Sequence, residues 1–420
     1  MSHQPTFRQA LVVWARIGVL SFGGPAAQIA LMHREVVEEK GWLTEKQFLN
    51  ALSFCMLLPG PEAMQLATFA GWRLHGFIGG LAAGLLFVLP GAMVILALAT
   101  FYVSFGQAPL VEALFLGVKA AVVVIVIEAL LKVSGRALKR WDHWVLAGLA
   151  FVAIFFFALS FPLIVLAAAV YGYLKGGEQT EVAAAPAVSF TQTLKTIALW
   201  LVIWATPVAL VWAFGGAPVL MDIAAFFSKL AVVTFGGAYA VLAYMAQDVV
   251  QTFGWLTTGE MMDGLGLAET TPGPLILVTE FVGFLAGYGQ GGFTMGLAAA
   301  ALTLWVTFAP CFLWIFAGAP YIDWLGAQPR LAGALSAITA AVVGVILNLS
   351  LWFAMHVFFG EVTAEAVGPL TLWTPTLETL DWRVVTLTAL SAAMLFGLKR
   401  GVLQTLGLAA IAGLAFSAVT

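Results

Sequence analysis

The sequence predicts an all-α polytopic membrane protein built from two inverted-topology repeats. The chain is 62% hydrophobic and 9% charged, whereas soluble domains have roughly 45–50% apolar and about 25% charged residues. Apolar runs at 144–173 and 331–353 are long enough to cross a bilayer. Short motifs also recur at one constant spacing. Together these observations exclude a separate soluble domain and point to an internal duplication.

The duplicated motifs keep a single register, because 235 − 22, 254 − 41 and 272 − 59 all equal 213. We therefore interpret 1–174 as the first copy, 175–220 as a linker with a connector helix, and 221–420 as the second copy. The motifs are FGGP at 22–25, GWLT at 41–44 and PGP at 59–61, matched by FGGA at 235–238, GWLT at 254–257 and PGP at 272–274.

The segments around these motifs are apolar but broken. In the first copy the pieces are 8–21, 26–32, 45–58 and 62–73, each shorter than the ~20 residues of a spanning helix. Gly frees the backbone to turn and Pro removes a donor. We predict re-entrant helical hairpins that turn near mid-depth, two in each copy; tilted helices kinked at Gly and Pro are the alternative. The broken segments of the second copy are 221–247 and 258–284.

Four predicted spans follow the broken segments in each copy. A further span at 190–214 has no counterpart in the first half, so it is interpreted as the connector. The predicted spans are 77–101, 110–131, 144–159 and 161–174 in the first copy, and 293–315, 331–352, 384–396 and 403–418 in the second.

Charge placement indicates how the copies are oriented. The loop 132–143 is basic, whereas its counterpart 353–382 is acidic and has no Lys or Arg. Window 22–73 holds four Lys or Arg residues and window 235–286 holds none, although Arg383 fits this pattern less well. Because basic loops stay in the cytoplasm, the copies are predicted to be inverted, with a cytoplasmic N-terminus. Inverted repeats with broken helices are typical of secondary transporters.

Two cations occupy equivalent positions, since 229 − 16 is again 213. Arg16 and Lys229 lie among apolar residues six positions before each Phe-Gly-Gly. A cation at bilayer depth costs roughly 2.5–3.5 kcal/mol, which favours a role in an anion pathway. Snorkelling to the interface or pairing with a carboxylate is the alternative.

The turn residues are further candidates for substrate binding. A helix is expected to begin after each turn, and helix N-termini present free N–H groups and a positive dipole end. Thr270 and Thr271 could donate hydroxyl hydrogen bonds to an oxyanion or bond back to their helix. The remaining candidates are Gly23, Gly24, Pro25, Pro59, Gly60, Pro61, Gly236, Gly237, Pro272, Gly273 and Pro274.

Acidic residues beside the turns are candidates for proton coupling. Glu269 and Glu62 are predicted to lie within the membrane, where a carboxylate can carry a proton; helix capping or pairing with Lys229 or Arg16 is the alternative. Glu35 is interpreted as part of a solvated face. Lys119 is expected to border the pathway or to pair with Glu112 or Glu128.

Enzyme signatures do not occur in the sequence. We predict no catalytic residues, no cofactor and no metal site. Cys55 and Cys311 are not at equivalent places in the repeat, which argues against a disulfide. A net charge of −3 gives no reason to expect nucleic acid as a partner.

Three stretches carry a family resemblance: FGGPAAQIALMHREVVEEKGWLTEKQF, LLPGPEAMQLATFAGW and ETTPGPLILVTEFVGF. They resemble the bacterial chromate transporter family in its long two-domain form, over nearly the whole chain. The resemblance implies chromate export across the inner membrane, driven by the membrane potential or proton motive force, and chromate resistance. The resemblance also implies that chromate is the transported anion, that sulfate is a close structural mimic of chromate, and that the protein lies in the lipid bilayer.

The sequence departs from a strict repeat at two places. Ala238-Tyr239 replaces the Pro-Ala of the first copy, and Leu275 stands where the first copy has Glu62. An exchanger or channel for sulfate or another oxyanion is the alternative function. A membrane chromate reductase is opposed by the lack of a redox motif. The sequence leaves open the oligomeric state, including a homodimer.

Overall fold

The computed structural model describes residues 5–176, 189–235, 238–322, 324 and 328–419. Within them the chain is almost entirely helical, with a single two-stranded sheet. This architecture confirms the predicted all-α membrane class. Five helical stretches are long and apolar enough to cross a membrane: Glu62–Phe105, Pro109–Ala137, Phe190–Ala213, Leu275–Tyr321 and Pro329–Phe358.

The described residues of the first half form seven helices, and α8 coincides with the predicted connector span. A π-helical turn, Arg34–Glu39, continues α2, and α4 is broken by non-helical backbone at His75 and Gly76. The helices are α1 (Phe7–Leu20), α2 (Gly24–His33), α3 (Glu45–Cys55), α4 (Glu62–Phe105), α5 (Pro109–Ala137), α6 (Trp141–Phe155), α7 (Phe161–Lys175) and α8 (Phe190–Ala213).

The second half repeats this order of elements. A π-helical turn, Asp248–Thr252, again follows the second short helix, and α12 is broken at Gly291 and Gly292. The helices are α9 (Pro218–Val233), α10 (Ala238–Gln247), α11 (Thr258–Thr270), α12 (Val278–Gly318), α13 (Pro329–Phe358), α14 (Trp382–Ala392) and α15 (Val402–Val419), with 3-10 turns at Leu275–Leu277, Ala319–Tyr321 and Leu377–Thr379, a π-helical turn at Ala393–Gly397, and strands β1 (Val362–Val367) and β2 (Leu370–Pro375).

The first predicted hairpin reverses direction, as the contacts of α1 show. Arg16 in α1 forms an ion pair with Glu35 in the π-helical turn after α2, at 3.3 Å. A continuous helix would separate residues 16 and 35 by about 28 Å, so the chain must turn back at the Gly23 break. α1 and α2 have 14 and 10 residues, which is too short for either to cross a bilayer alone.

The GWLT motif builds the same turn in both halves. Gly41 and Gly254 both have φ of +60°, a conformation that Gly adopts without steric cost. The Thr44 hydroxyl then accepts the backbone N–H of Gln47 at 3.3 Å, and the Thr257 hydroxyl accepts that of Glu260 at 3.2 Å. The Gln47 and Glu260 side chains accept the N–H of Thr44 and Thr257 in return, forming capping boxes.

The described residues form two compact units, each of which takes segments from both copies of the repeat. The first unit comprises Met1–Ala99, Glu178–Ala238 and Thr271–Leu331. Within it the connector α8 packs on α12: buried Trp200 stacks on Phe312 and Phe316, with ring centroids 5.5 Å apart in both pairs. The Trp204 indole N–H also donates to the Val306 carbonyl at 3.1 Å.

The second unit comprises Thr100–Gly177, Tyr239–Thr270 and Ala332–Thr420. Its helices pack closely through small residues. A methyl group at Gly344 in α13 would overlap the carbonyl oxygen of Ala147 in α6, and one at Gly117 in α5 would overlap that of Ala409 in α15. Small residues allow such close approach where lipid gives helices little reason to associate.

The sequence predicts a loop at 353–382, whereas the structure has a β-hairpin at Val362–Pro375. It pairs antiparallel in register, with Val367 opposite Leu370 across a tight turn at Gly368, whose φ is +61°. Alternating Thr, Glu and Trp with apolar residues is a strand signal that the charge analysis passed over. Beyond the hairpin, hydrogen bonds from Arg383 hold the pKa of the Asp381 carboxyl below its usual range.

Candidate functional site

Two reciprocal backbone hydrogen bonds join the duplicated turns within the first unit. The Gly273 N–H donates to the Ser21 carbonyl at 2.8 Å, and the Gly60 N–H donates to the Thr234 carbonyl at 2.9 Å. Because 234 − 21 and 273 − 60 both equal 213, the two bonds are equivalent positions exchanged between copies. Such exchange is the mark of a two-fold relation. We call this pair of contacts the crossed breaks.

The long helices add a second reciprocal pair beside the crossed breaks. Gly273 packs on Gly91 of α4, where a methyl group would overlap the Pro272 carbonyl oxygen. Gly60 packs on the Cys311 side chain of α12, whose Sγ lies 2.9 Å from the position of a Cβ built on Gly60. Residues 91 and 311 are equivalent because they are 220 positions apart, the same distance that separates the matching Pro90 and Pro310. Each Pro-Gly-Pro turn therefore docks on the other copy.

Two buried glutamines bond to the carbonyls of these turns. The Gln28 amide donates to the Gly273 carbonyl at 2.6 Å and to the Ser21 carbonyl at 3.3 Å. The Gln65 amide donates to the Pro59 carbonyl at 2.7 Å. Both side chains are at most 1% exposed, and neither Oε1 atom has a partner among the described residues. Neither residue is among the candidates predicted from the sequence, although a glutamine follows each break of the first copy by four or five residues.

Arg16 forms an ion pair with the Glu35 carboxylate. Pairing with a carboxylate is one of the two alternatives to an anion pathway that the sequence leaves open for this residue. Its side chain is 55% exposed, whereas that of Glu35 is fully buried. The interpretation of Glu35 as a solvated face is therefore wrong. Consecutive residues of a helix point about 100° apart, so Glu35 faces inward although Arg34 beside it is exposed. Lys229 lies exposed near the end of α9.

The predicted turn residues divide between described and undescribed parts of the chain. Pro25 lies in the first turn of α2, while Pro61 and Pro274 immediately precede the next helical segments. Gly23, Gly24, Gly60 and Gly273 all have positive φ. The first N–H groups of the helices that follow lack partners within their own helix. Gly236 and Gly237 lie outside the described residues.

The acidic and hydroxyl candidates fall in different environments. Glu269 is buried in the second unit, where the Tyr239 hydroxyl donates to it at 2.8 Å. The Thr270 hydroxyl bonds back to the Leu267 carbonyl at 2.8 Å, and Thr271 is buried in the first unit. Glu62 lies partly exposed in the first turn of α4.

A buried charge cluster in the second unit was missed. Asp263 is 5% exposed and lies 3.2 Å from the Lys119 ammonium, and it accepts the Tyr102 hydroxyl at 2.7 Å. Of the two alternatives for Lys119, pairing with Glu112 or Glu128 is therefore wrong, because its partner is Asp263 in α11. Glu128 instead pairs with Lys132 one helical turn away, at 2.7 Å.

The part of the chain that the structure describes offers few ligands for a metal ion or a redox centre. There, no group of three or more His, Cys, Asp or Glu residues is placed to hold a metal ion. Cys55 and Cys311 are both buried and free.

Comparison with known proteins identifies the family. A family model described as chromate transporter matches residues 8–173 and 221–414. A chromate transport protein of Pseudomonas aeruginosa is 34% identical over 376 residues, covering 87% of this chain and 84% of the relative. One of Cupriavidus metallidurans (strain CH34) is 30% identical over 350 residues, covering 81% of each chain.

A shorter relative matches only part of the chain. The uncharacterized transporter YwrA of Bacillus subtilis (strain 168) is 30% identical over 159 residues, which is 37% of this chain but 89% of the relative. No solved structure matches the chain. The two matches of the family model and the identities with full-length relatives show that this multi-pass membrane protein belongs to the chromate transporter family.

Proposed function

We propose that the protein transports chromate out of the cytoplasm through the bacterial inner membrane and thereby confers chromate resistance. Membership of the chromate transporter family is the observation that carries this proposal. In this proposal the N-terminus lies in the cytoplasm and the duplicated halves have inverted topology. The reciprocal bonds of the crossed breaks support a two-fold relation between the halves.

The substrate site in this proposal lies at the crossed breaks of the first unit. Broken helices create oxyanion sites because their free N–H groups and dipoles favour negative charge. The Gln28 amide bonds to the Gly273 and Ser21 carbonyls and the Gln65 amide to the Pro59 carbonyl, so each buried amide lies beside a positive-φ turn, at Gly273 or at Gly60. The unpartnered Oε1 atoms of both glutamines only accept hydrogen bonds, so a bridging water is expected there, which can donate both to the glutamine and to an oxyanion. Thr271, Pro272 and Pro274 complete this surface in the proposal.

Arg16 supplies positive charge to this site, with Glu35 as its positioning residue. A guanidinium has five donors in a planar fork, so one contact with Glu35 leaves the others free for an oxyanion. The fully buried carboxylate fixes where the exposed guanidinium lies. Lys229 has the equivalent role in the second copy.

The membrane potential gives the direction of transport in this proposal. An inside-negative potential is worth about 2.3 kcal/mol per charge per 100 mV, so a dianion is driven outward by about twice that amount. Export therefore needs a selective path more than a strong pump. Proton coupling through Glu269 or Glu62 adds to this force if either carboxyl changes protonation during the cycle.

Chromate accumulation in resting cells tests the proposal. Cells expressing the wild-type chain should accumulate less labelled chromate than cells with an empty vector. Arg16→Ala and Lys229→Ala should each raise accumulation toward the empty-vector level. Lys195→Ala removes an exposed cation from the connector helix and should behave as wild type.

Two results would contradict the proposal. Equal chromate accumulation with and without the wild-type chain would show that the protein does not export chromate. Wild-type export by both Arg16→Ala and Lys229→Ala would show that export does not depend on these two cations. Excess sulfate in inverted vesicles then measures how strongly the site distinguishes chromate from its structural mimic.

A further inference from the structure

A basic cavity lies at the start of α1 in the first unit. Its volume is about 540 Å³, and two cations line it: Arg8 in the first turn of α1 and Lys40 at the end of the π-helical turn after α2. None of the described residues that line the cavity is acidic. A cleft lined by charges of one sign concentrates counter-ions, so this cavity attracts anions.

Neither lining cation is neutralised by a carboxylate of the described chain. The acidic residues of the π-helical turn pair elsewhere: Glu35 lies 3.3 Å from Arg16, and Glu39 lies 3.7 Å from Arg34. Among the described residues, no Asp or Glu comes within ion-pair distance of either lining cation. Both positive charges are therefore left for an external anion.

Hydrogen bonds hold the other lining residues of the cavity in place. The Pro5 carbonyl contacts Nε2 of His75 at 2.9 Å, and the Trp42 N–H donates to the Val36 carbonyl at 2.8 Å. The Gln9 side-chain oxygen accepts a backbone N–H at the start of α1, which leaves its NH₂ group as a donor. The cavity thus combines two cations with a neutral donor and an indole, the ring system typical of the membrane–water interface.

An exposed apolar strip continues from the cavity along α1. Val12 lines the cavity and is 64% exposed, and Val19, two turns further on the same face, is 53% exposed. Arg16 lies between them, but its guanidinium is held by Glu35. From Arg8 to Val19 the strip is roughly 16 Å long, at about 1.5 Å per residue. A basic cavity joined to an exposed apolar strip matches the charged head and apolar chains of a phospholipid.

Size and polarity distinguish this ligand from a free oxyanion. Pockets of roughly 300–1,000 Å³ take organic molecules of drug size, so one chromate or sulfate ion would leave most of this cavity empty. A free dianion also gains nothing from the apolar strip. An anionic phospholipid uses both features, because its phosphate forms charge-assisted hydrogen bonds with Arg8 and Lys40 while its chains cover Val12 and Val19.

We propose that this cavity binds the headgroup of an anionic phospholipid. Basic pockets between the helices of membrane proteins hold such headgroups. The bound lipid anchors the start of α1 at the membrane surface, and with it the first hairpin, which carries Arg16 and Glu35. The inference goes beyond the proposed function, because lipid binding and chromate export are separate properties of the chain and either can fail without the other.

Native mass spectrometry of the purified full-length chain in mild detergent tests the proposal. Phosphatidylglycerol and phosphatidylcholine with identical acyl chains are titrated separately, and the occupancy of the first bound lipid gives its dissociation constant. Each cation beside an anionic lipid should contribute about fivefold in affinity, the equivalent of about 1 kcal/mol. Phosphatidylglycerol should therefore bind about 25-fold more tightly than phosphatidylcholine, and Arg8→Gln/Lys40→Gln should remove that preference.

Two control variants separate this cavity from charge in general and from folding. Lys46→Gln/Lys195→Gln removes the same net charge from exposed positions that do not line the cavity and should keep the preference. Arg8→Lys/Lys40→Arg keeps both charges and should keep it as well.

Three results would overturn the inference. The first is equal binding of the two lipids by the wild-type chain. The second is an undiminished preference for phosphatidylglycerol in Arg8→Gln/Lys40→Gln. The third is displacement of bound phosphatidylglycerol by millimolar inorganic phosphate or chromate at constant ionic strength, which would show that the cavity takes a free oxyanion instead of a lipid.

Discussion

In the first copy, the helices that follow the two breaks each carry a buried glutamine, whereas the second copy has valine at both equivalent positions. Gln28 corresponds to Val241 and Gln65 to Val278, at the common offset of 213. The backbone bonds between the turns are nevertheless equivalent, at 2.8 and 2.9 Å. The duplicated backbone therefore provides the frame in both copies, while only the first copy provides a buried glutamine after each break; Thr270 and Thr271 belong to the second copy.

The largest expected effect is a loss of stability when one of the two equivalent contacts between a Pro-Gly-Pro turn and a long helix is disrupted. Gly91→Ala places a methyl group on the Pro272 carbonyl, whereas Cys311→Ala only removes a sulfur next to Gly60. We expect Gly91→Ala to lower the free energy of unfolding by about 1–3 kcal/mol or more and Cys311→Ala to lower it by less. Thermal unfolding of the detergent-solubilised variants, followed by size-exclusion chromatography, measures both.

Gly289→Ala is the matched control, because nothing lies within 4 Å of a Cβ at that position in α12. It should unfold at or above the wild-type temperature. Equal destabilisation by Gly91→Ala and Gly289→Ala would show that the close packing of Gly273 on α4 is not a feature of the folded protein.

Exchanging side chains between copies tests whether the first copy carries the chemistry. Gln28→Val removes the amide that donates to the Gly273 and Ser21 carbonyls. The Ser21 carbonyl still accepts the Gly273 N–H, whereas the Gly273 carbonyl loses its partner. Leaving a buried carbonyl unpaired costs about 1–3 kcal/mol. We expect chromate transport at limiting substrate to fall about tenfold or more. Val241→Ile, a conservative change at the equivalent position, should leave transport close to wild type.

A vesicle uptake assay at several chromate concentrations measures the effect of Gln28→Val. Protein amount in the membrane is measured in parallel, so that loss of folding is separated from loss of transport. Wild-type transport by Gln28→Val would refute the assignment of the polar chemistry to the first copy.

Neutralising the partner of Arg16 gives a smaller effect. Glu35→Gln keeps the shape of the side chain but removes the charge that positions the guanidinium at 3.3 Å. We expect the chromate concentration for half-maximal transport to change severalfold while the maximal rate changes less. Glu39→Gln disrupts only the exposed pair with Arg34 and should have no effect, since exposed pairs contribute about 0–1 kcal/mol.

A double variant distinguishes positioning from a purely structural role of Glu35. If Glu35 acts through Arg16, adding Glu35→Gln to Arg16→Ala should change transport no further. Additive losses in the double variant would contradict a positioning role.

The smallest expected effects lie at the helix caps, where the two copies are alike. Thr44→Ala and Thr257→Ala each remove a cap and should each cost about 0.5–2 kcal/mol of stability. Thr→Ser at either position should restore most of it, because the hydroxyl is what accepts the backbone N–H. Chemical denaturation in mixed micelles provides the measurement, and a cost at only one cap would show that the two turns are not equivalent.

Much of the fold could be predicted from the sequence because its signals are local. Apolar length set the spans, and Gly and Pro set the breaks; an apolar helix was predicted at 190–214 and is found at Phe190–Ala213. The helix start at Pro25 and the reversal of the first hairpin also follow from residues close together in the chain. These features depend on a few neighbouring residues each, so one sequence is enough to predict them.

The remaining features depend on contacts that leave no local signal. The bond between Ser21 and Gly273 joins two backbone groups 252 residues apart, and backbone atoms are the same in every residue. Glu35 was misinterpreted because the exposure of its neighbour Arg34 does not fix the environment of a residue on another face of the same turn. The partner of Lys119 was missed because Asp263 lies in a distant helix. The β-hairpin was hidden by acidic residues that also fit an exposed loop.

The most direct test of the central claim is an anomalous difference map recorded at the chromium absorption edge from crystals of the full-length chain soaked in chromate. The account predicts a chromium peak beside the turns at Gly60 and Gly273 in the first unit, within reach of Arg16. That peak should be lost in crystals of Arg16→Ala that still bind lipid and diffract. A map with chromium only at other places, and none beside these turns, would contradict the account.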